Sequence, residues 1–370
     1  MKDYQQHTDK YFLRSKLILE KENINPLVRY QVFVRKDIDY LKGVNKAVAF
    51  IKEHAPNAKI YALKDGQYCA SCEPIMKIEG TVQDLIDLET VYLGHISGAL
   101  TGELKGSTIH HNAYGIMRAA KDKPVFYFGA RHFSPDSDNM ITGICHDVGF
   151  AGCSTDFGAR HWDSEGIGTV PHALILSIHA HLKETNDETN PTAKTAQLFD
   201  KHIPGRVLRI ILIDTYNREV DDTFASLKIA KVGGVRIDTC GENRSQYADW
   251  IKENRFENCT DKYMSGNGVT IPAVWALKYK LHERGFDDIK ITISSGFNPE
   301  KTAAFIAADE AFQMAYKIPL FDTIGTGSIY PGVIMATSDI VAYYSEKDKK
   351  WLEHHKTGRG ENPNKRLKLV

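Results

Sequence analysis

The sequence predicts an α/β protein built from an N-terminal α/β domain with antiparallel strands and a following parallel α/β barrel. Three observations lead there. Five segments of the second half begin apolar and β-branched and end in small, hydroxyl or acidic residues. They are Gly166–His172, Ile211–Tyr216, Gly234–Thr239, Ile291–Gly296 and Phe321–Gly327. Continuous apolar runs of this kind read as buried parallel strands. From Pro124 to about residue 330 such runs alternate with helical patterns, the rhythm of β/α units. Before Pro124 the pattern differs: Arg29–Arg35 alternates polar and apolar like a half-buried strand.

The elements follow in order. Residues 1–20 read as helical, with Asp3, Thr8 or Asp9 able to cap and Phe12, Leu17 and Leu19 on an apolar face. Lys59–Leu63 and Met76–Glu79 join Arg29–Arg35 as strands, and Thr81–Leu93 and His110–Ala120 read as helices. Val125–Phe128 opens the barrel. Helices are expected at Ala225–Lys231, Arg244–Asn254, Ile271–Glu283 and Pro299–Tyr316, and Thr185–Ala196 as a polar loop or short helix start. The expected divisions are 1–124 for the first domain, 125–335 for the barrel, and 336–370 for a tail packing on the first domain or on a partner.

Composition narrows the function classes. Of 370 residues, 42% are hydrophobic and 25% charged, with Lys+Arg and Asp+Glu equal at 47 each. No basic excess points to nucleic acid or to an acidic membrane surface. No apolar run reaches the roughly 18 residues of a membrane span. The first residues lack the apolar stretch of a signal peptide, so the expected location is cytoplasmic. Six cysteines do not suggest a disulfide framework. Cys69 and Cys72 form one Cys-x-x-Cys; Cys145, Cys153, Cys240 and Cys259 stand alone, so a structural zinc site lacks its second pair.

In an α/β barrel the chemistry sits at the C-terminal ends of the strands. His172, Asp214, Arg236, Asp238, Ser295 and Gly325–Gly327 all fall there. Ser294-Ser295-Gly296 and Gly325-Thr326-Gly327 offer backbone N–H groups with little side-chain bulk, and a helix begins near Pro299. Such loops suit phosphate, although glycines also simply permit turns. Asp214 and Asp238 can hold ribose hydroxyls or a magnesium ion that also holds substrate phosphate, or can merely cap. Arg236 shares a strand face with Asp238, as an ion pair or as a phosphate ligand. His172 follows a proline and opens an apolar helical run, where a neutral imidazole can act as base or nucleophile. Phe128 beside Arg131 suits a flat anionic ring, or is core aromatic plus surface arginine.

Taken together, these residues resemble a known family. Phe128-Gly-Ala-Arg-His-Phe133, Gly149-Phe-Ala-Gly-Cys-Ser-Thr155 and Gly168-Thr-Val-Pro-His-Ala173 follow the pattern of the nicotinate/nicotinamide phosphoribosyltransferases. Ile213-Asp-Thr-Tyr216, Val235-Arg-Ile-Asp238, the Ser-Gly loop and the Gly-x-Gly loop continue it in order, and Asp9–Arg14 and Leu88–Gly94 are similar to N-terminal family segments. The run Gly268–Gly296 resembles the short archaeal and bacterial nicotinate branch most.

The resemblance implies a type II phosphoribosyltransferase with an N-terminal α/β sandwich-like domain and an incomplete, seven-stranded barrel. It implies transfer from 5-phosphoribosyl 1-pyrophosphate to nicotinate, giving nicotinate mononucleotide and pyrophosphate with Mg²⁺. It places Ser295, Gly296, Gly325, Thr326 and Gly327 on phosphate, and Asp214 and Asp238 on magnesium through the substrate. Tyr11, Phe128, Arg131, Ser154, Thr155, Thr215 and Arg236 fall to substrate binding. It also implies a homodimer with shared sites, in which Tyr11 enters from the partner to stack opposite Phe128. His172 matches a histidine that ATP can phosphorylate. In the nicotinamide enzymes an aspartate reads the amide; here Cys153-Ser154-Thr155 stands in that stretch, which favours nicotinate with Arg131 as counter-ion. His132 replaces a second arginine. Nicotinamide and quinolinate are the nearest alternative substrates, and a non-catalytic phosphosugar or nucleotide sensor is the alternative class. Lys356, Arg359, Lys365 and Arg366 can reach a phosphate or form a solvated tail.

Overall fold

The computed structural model describes residues 3–250 and 261–370. Two six-stranded sheets organise it, with strands numbered in chain order. The first is antiparallel: β1 (Leu27–Val34), β2 (Lys59–Ala62) and β3 (Pro74–Thr81) combine with β10 (Ala336–Ser345), β11 (Lys350–Glu353) and β12 (Lys368–Leu369). Its order is β11-β10-β1-β3-β2-β12. The C-terminal segment thus supplies three strands, and β10 pairs along β1 from Val28↔Tyr343 to Val34↔Ala336.

The second sheet is parallel: β4 (Val125–Tyr127), β5 (Gly152–Cys153), β6 (Ile210–Leu212), β7 (Gly234–Ile237), β8 (Lys290–Ile293) and β9 (Thr323–Thr326). Its order is β5-β4-β9-β8-β7-β6. All four residues of β7 are buried, as expected of a strand covered on both faces. Gly234 permits a close strand approach, since a Cβ there would lie 2.8 Å from the Lys290 carbonyl oxygen. The sheet is open between β5 and β6.

That opening corrects the strand expected at Gly166–His172. Six strands, not seven, form the parallel sheet among the described residues. The Ile167 N–H reaches the Cys153 carbonyl at 2.9 Å, but no ladder follows. His172 instead starts the helix His172–Thr185, with Pro171 before it.

Helix starts carry the expected chemistry. Asn298 caps Pro299–Tyr316 by accepting from the Lys301 N–H, and Thr270 caps Ile271–His282 by accepting from the Ala273 N–H. Each has proline in its first turn, where no donor is lost. Between these helices Trp275 meets the Phe312 ring edge-on at 4.7 Å.

The helix expected at Arg244–Asn254 is absent over residues 244–250, which form turns; residues 251–254, and Cys259, lie outside the described residues. Side chains hold the segment on a non-helical path. Asn243 Oδ1 accepts from the Arg244 N–H, Ser245 Oγ donates to the Gly268 carbonyl, and Tyr247 has φ 60°. No helix among the described residues is long and apolar enough to cross a membrane. Cys69 is buried and Cys72 exposed, both as free thiols, and no group of three metal-ligating side chains occurs among the described residues.

Candidate active site

A cavity of about 490 Å³ opens where the ends of β4, β7, β8 and β9 face β10 of the first sheet. Its walls include His172, Asp238, Phe128, Arg131, Arg236 and Tyr11, together with Ser294–Gly296 and Gly325–Ser328. Residues from Phe128 to Ser328 converge because the parallel strands all end on this side, and β10 with the segment after it adds residues from Met335 to Arg359.

The two glycine loops line adjacent strand ends. Ser295 and Gly296 have φ 79° and 69°, a left-handed pair that turns the chain sharply before the helix at Pro299. For serine this conformation is strained and needs outside support. Lys301 supplies it, donating from Nζ to the Ser295 carbonyl at 2.9 Å. Burial lowers the Lys301 ammonium to about 8. In the second loop a Cβ on Gly327 would lie 2.8 Å from the Gly129 Cα, so glycine is required for close approach. Thr326 Oγ1 donates to the Phe297 carbonyl at 2.6 Å and ties the two loops together.

Beside them lies an acid–histidine group. His172 Nδ1 is 3.0 Å from Thr215 Oγ1, and its Nε2 is 3.5 Å from Asp214 Oδ2. Burial, with Lys356 and Arg236 nearby, holds the imidazole well below its usual range and so neutral. Asp214 is 2% exposed, and burial plus the charge of Asp238 push it up to about 7. Its Oδ1 is buried without a hydrogen-bond partner among the described residues. Asp238 faces the cavity, receives a 2.6 Å hydrogen bond from Ser294 Oγ, and lies 3.6 Å from Arg236 Nη2. Asp214 and Thr215 stand behind His172 rather than on the wall.

The third region is aromatic and cationic. The Arg236 guanidinium carbon lies 5.9 Å from the Tyr11 ring and 6.0 Å from the Phe128 ring. The Arg131 guanidinium carbon lies 5.7 Å from the Tyr11 ring. Tyr11 reaches this place because residue 168 is glycine: a Cβ there would sit 2.7 Å from the Tyr11 nitrogen. Arg14 Nη1 also bonds the Gly168 carbonyl at 2.6 Å. Tyr11 lines the cavity of its own chain, at the place where the resemblance implied a tyrosine from a second copy.

Two expected residues are elsewhere. Ser154 and Thr155 do not line the cavity. Thr155 Oγ1 donates to Asp138 Oδ2 at 2.8 Å and caps a short helix through the Gly158 N–H. The Ser154 carbonyl accepts from the Lys10 N–H at 2.7 Å, anchoring the N-terminal helix. Both residues place neighbours, because β5 sits at the sheet edge. The tail divides: Lys356 and Arg359 line the cavity at 7% exposure each, while Arg366 pairs with Glu73 at 3.0 Å and Lys365 is exposed. Sequence reading missed Glu89, a wall residue and the direct partner of Arg131 at 2.8 Å. Its only signal was its place in the segment Leu88–Gly94.

A parallel, open α/β barrel with an antiparallel companion sheet and a cavity at its strand ends is an architecture the chain shares with known proteins. Residues 9–99 match the family of the quinolinate phosphoribosyl transferase N-terminal domain. A nicotinate phosphoribosyltransferase of Mycobacterium tuberculosis is 23% identical over 331 residues, covering 81% of this chain and 62% of that protein. The chain thus spans about three-fifths of that relative's length. The crystal structure of a nicotinate phosphoribosyltransferase from Porphyromonas gingivalis matches with TM-score 0.63 at 13% identity, over 96% of this chain and 95% of that one. One from Saccharomyces cerevisiae, described as putative, matches with TM-score 0.59 at 14% identity, over 94% of each. These two crystal structures share the fold of the chain.

Proposed function

We propose that the chain transfers the phosphoribosyl group of 5-phosphoribosyl 1-pyrophosphate to nicotinate, forming nicotinate mononucleotide and pyrophosphate. The observation that carries this is the division of one cavity: two tied glycine loops on one side, and rings with two arginines on the other. The loops suit the phosphate groups through backbone N–H donors. The Tyr11 and Phe128 rings suit a flat heterocycle, with Arg131 as partner for its carboxylate. In the reaction the ribosyl C1–oxygen bond breaks toward pyrophosphate while the pyridine nitrogen bonds C1. The protein's task is to hold the nitrogen in line and neutralise the departing charge.

Mg²⁺ fits the unpartnered Asp214 Oδ1 and the cavity-facing Asp238, two carboxylates that need substrate oxygens to complete a shell. When bound it supplies charge neutralisation for pyrophosphate. Arg236, Lys356 and Arg359 add cations from the protein itself. ATP coupling belongs to the same reading: neutral His172, with Nε2 lacking a hydrogen-bond partner among the described residues, can accept a phosphoryl group. His172→Ala is expected to abolish ATP stimulation while leaving a slower basal reaction; stimulation that survives assigns ATP elsewhere. A homodimer and a cytoplasmic location complete the proposal.

Quinolinate is the second reading, supported by the match over residues 9–99. It carries two carboxylates, and burial lowers His132 to about 4, which leaves that imidazole uncharged at neutral pH. With Arg236 beside Asp238, Arg131 next to the neutral His132 favours the single carboxylate. Chromatographic detection of mononucleotide tests the choice. The protein is given phosphoribosyl pyrophosphate and Mg²⁺ with nicotinate, nicotinamide or quinolinate, each with and without ATP. Product from nicotinate is expected. Product only from another pyridine reassigns the substrate, and phosphoribosyl pyrophosphate binding without any product makes the chain a sensor.

A further inference from the structure

The guanidinium expected to receive the substrate's carboxylate already carries carboxylates of its own. Arg131 Nη1 donates to Glu89 Oε1 at 2.8 Å, and Arg131 Nε lies 3.4 Å from Asp9 Oδ2. Asp9 is committed elsewhere too, accepting from Thr90 Oγ1 at 3.0 Å and from the Tyr11 hydroxyl at 3.4 Å. Glu89 has no such second anchor among its hydrogen bonds, is 4% exposed, and lines the cavity. A third carboxylate arriving at Arg131 would put three negative charges around one positive charge in a buried place, which is costly.

We propose that Glu89 is a specificity-determining residue that takes up one proton from solvent when a carboxylate-bearing pyridine binds, so that Arg131 is released to the substrate. This rests on the nicotinate reading above. The proton adds to a Glu89 carboxylate oxygen. The neutral acid keeps its place by hydrogen bonding and no longer competes as an anion. A neutral amide substrate needs no such step.

The surroundings of Glu89 support the proton's destination. The groups facing it are Arg131 from the turn after β4, Asp9 and Tyr11 from the N-terminal segment, Tyr30 from β1, Tyr92 from its own helix, and Asp339 from β10. Asp339 is paired with Arg359 at 3.2 Å. Burial outweighs the attraction of Arg131 and pushes the Glu89 carboxyl up to about 7. The nearby imidazoles do not compete for the proton, since burial keeps His132 and His172 neutral at that pH.

Two measurements test this. In the first, KM for nicotinate is followed from pH 6 to 9 in the wild type and in Glu89→Gln. The wild-type KM is expected to rise up to about tenfold per pH unit above 7, the behaviour of a single required proton, and the rise should vanish in the variant. A variant that keeps the rise overturns the proposal. The second needs no variant: calorimetric titration of the wild type with nicotinate at pH 8, in buffers of different ionisation enthalpy, should show uptake of about one proton. Nicotinamide is the control and should show none. Nicotinate binding without proton uptake overturns the inference alone. A protein that neither binds nor turns over nicotinate overturns the functional reading and the inference with it.

Discussion

Replacing Arg131 with methionine is expected to raise KM for nicotinate by about 10- to 100-fold, the value of a buried charge-assisted hydrogen bond of about 1.5–3 kcal/mol. KM for phosphoribosyl pyrophosphate should move by no more than about twofold, because the glycine loops do not touch Arg131. Methionine keeps much of the volume against Tyr11 and Phe12, whose rings lie 5.7 and 5.8 Å from the guanidinium. The substitution leaves Glu89 and Asp9 without their cation, so Glu89 will hold its proton to higher pH. Arg131→Lys is not a conservative alternative, since a point charge cannot serve Glu89 and a substrate carboxylate in a fork geometry. Steady-state kinetics with both substrates decides the matter. Equal changes in the two KM values would remove Arg131 from carboxylate recognition.

The second large effect is expected at Asp238. Asp238→Asn should lower kcat by about 10²–10³, the usual loss when one group facing the developing charge is removed. The Mg²⁺ concentration giving half-maximal rate should rise, while KM for nicotinate stays near its wild-type value. The variant keeps the side-chain volume and the 2.6 Å contact with Ser294 Oγ. It also removes the like charge that helps raise Asp214, so the Asp214 carboxyl should titrate lower. A Mg²⁺ titration of the rate checks the first point. An unchanged magnesium midpoint with reduced kcat would assign Asp238 to the ribose instead.

Both predictions concern residues that a linear reading could find, and the reason is local. The ends of β7, β8 and β9 are short apolar runs that switch abruptly to Asp238, Ser295 and Gly325. That change of chemistry within a few residues is visible without coordinates, and parallel topology brings all such ends to one face. Ser154 and Thr155, which the resemblance rather than the strand-end pattern assigned to substrate, lie off the cavity wall. Their segment follows β5, a two-residue edge strand, where the Thr155 hydroxyl caps a short helix and the Ser154 carbonyl anchors the N-terminal helix. The strand inferred at Gly166–His172 failed for a related cause: two glycines and a proline supply the shape of a strand end without a neighbour to pair with. At 244–250, helical periodicity lost to Asn243, whose side chain takes the Arg244 N–H, and to Ser245, which ties the segment to the distant Gly268 carbonyl.

By itself the sequence determined the α/β class, the helices at Ile271–Glu283 and Pro299–Tyr316, and the set of strand-end residues that supply acid, hydroxyl and glycine. These are properties of neighbours along the chain. Tertiary structure alone decided that Tyr11 lies in its own chain's cavity, that Lys356 and Arg359 reach the site while Arg366 does not, and that Glu89 already occupies Arg131. Each depends on pairing between segments far apart, 42 residues for Glu89 with Arg131 and 293 for Arg366 with Glu73. The charge balance of a buried site is a sum over everything that packs there, and no local pattern encodes that sum.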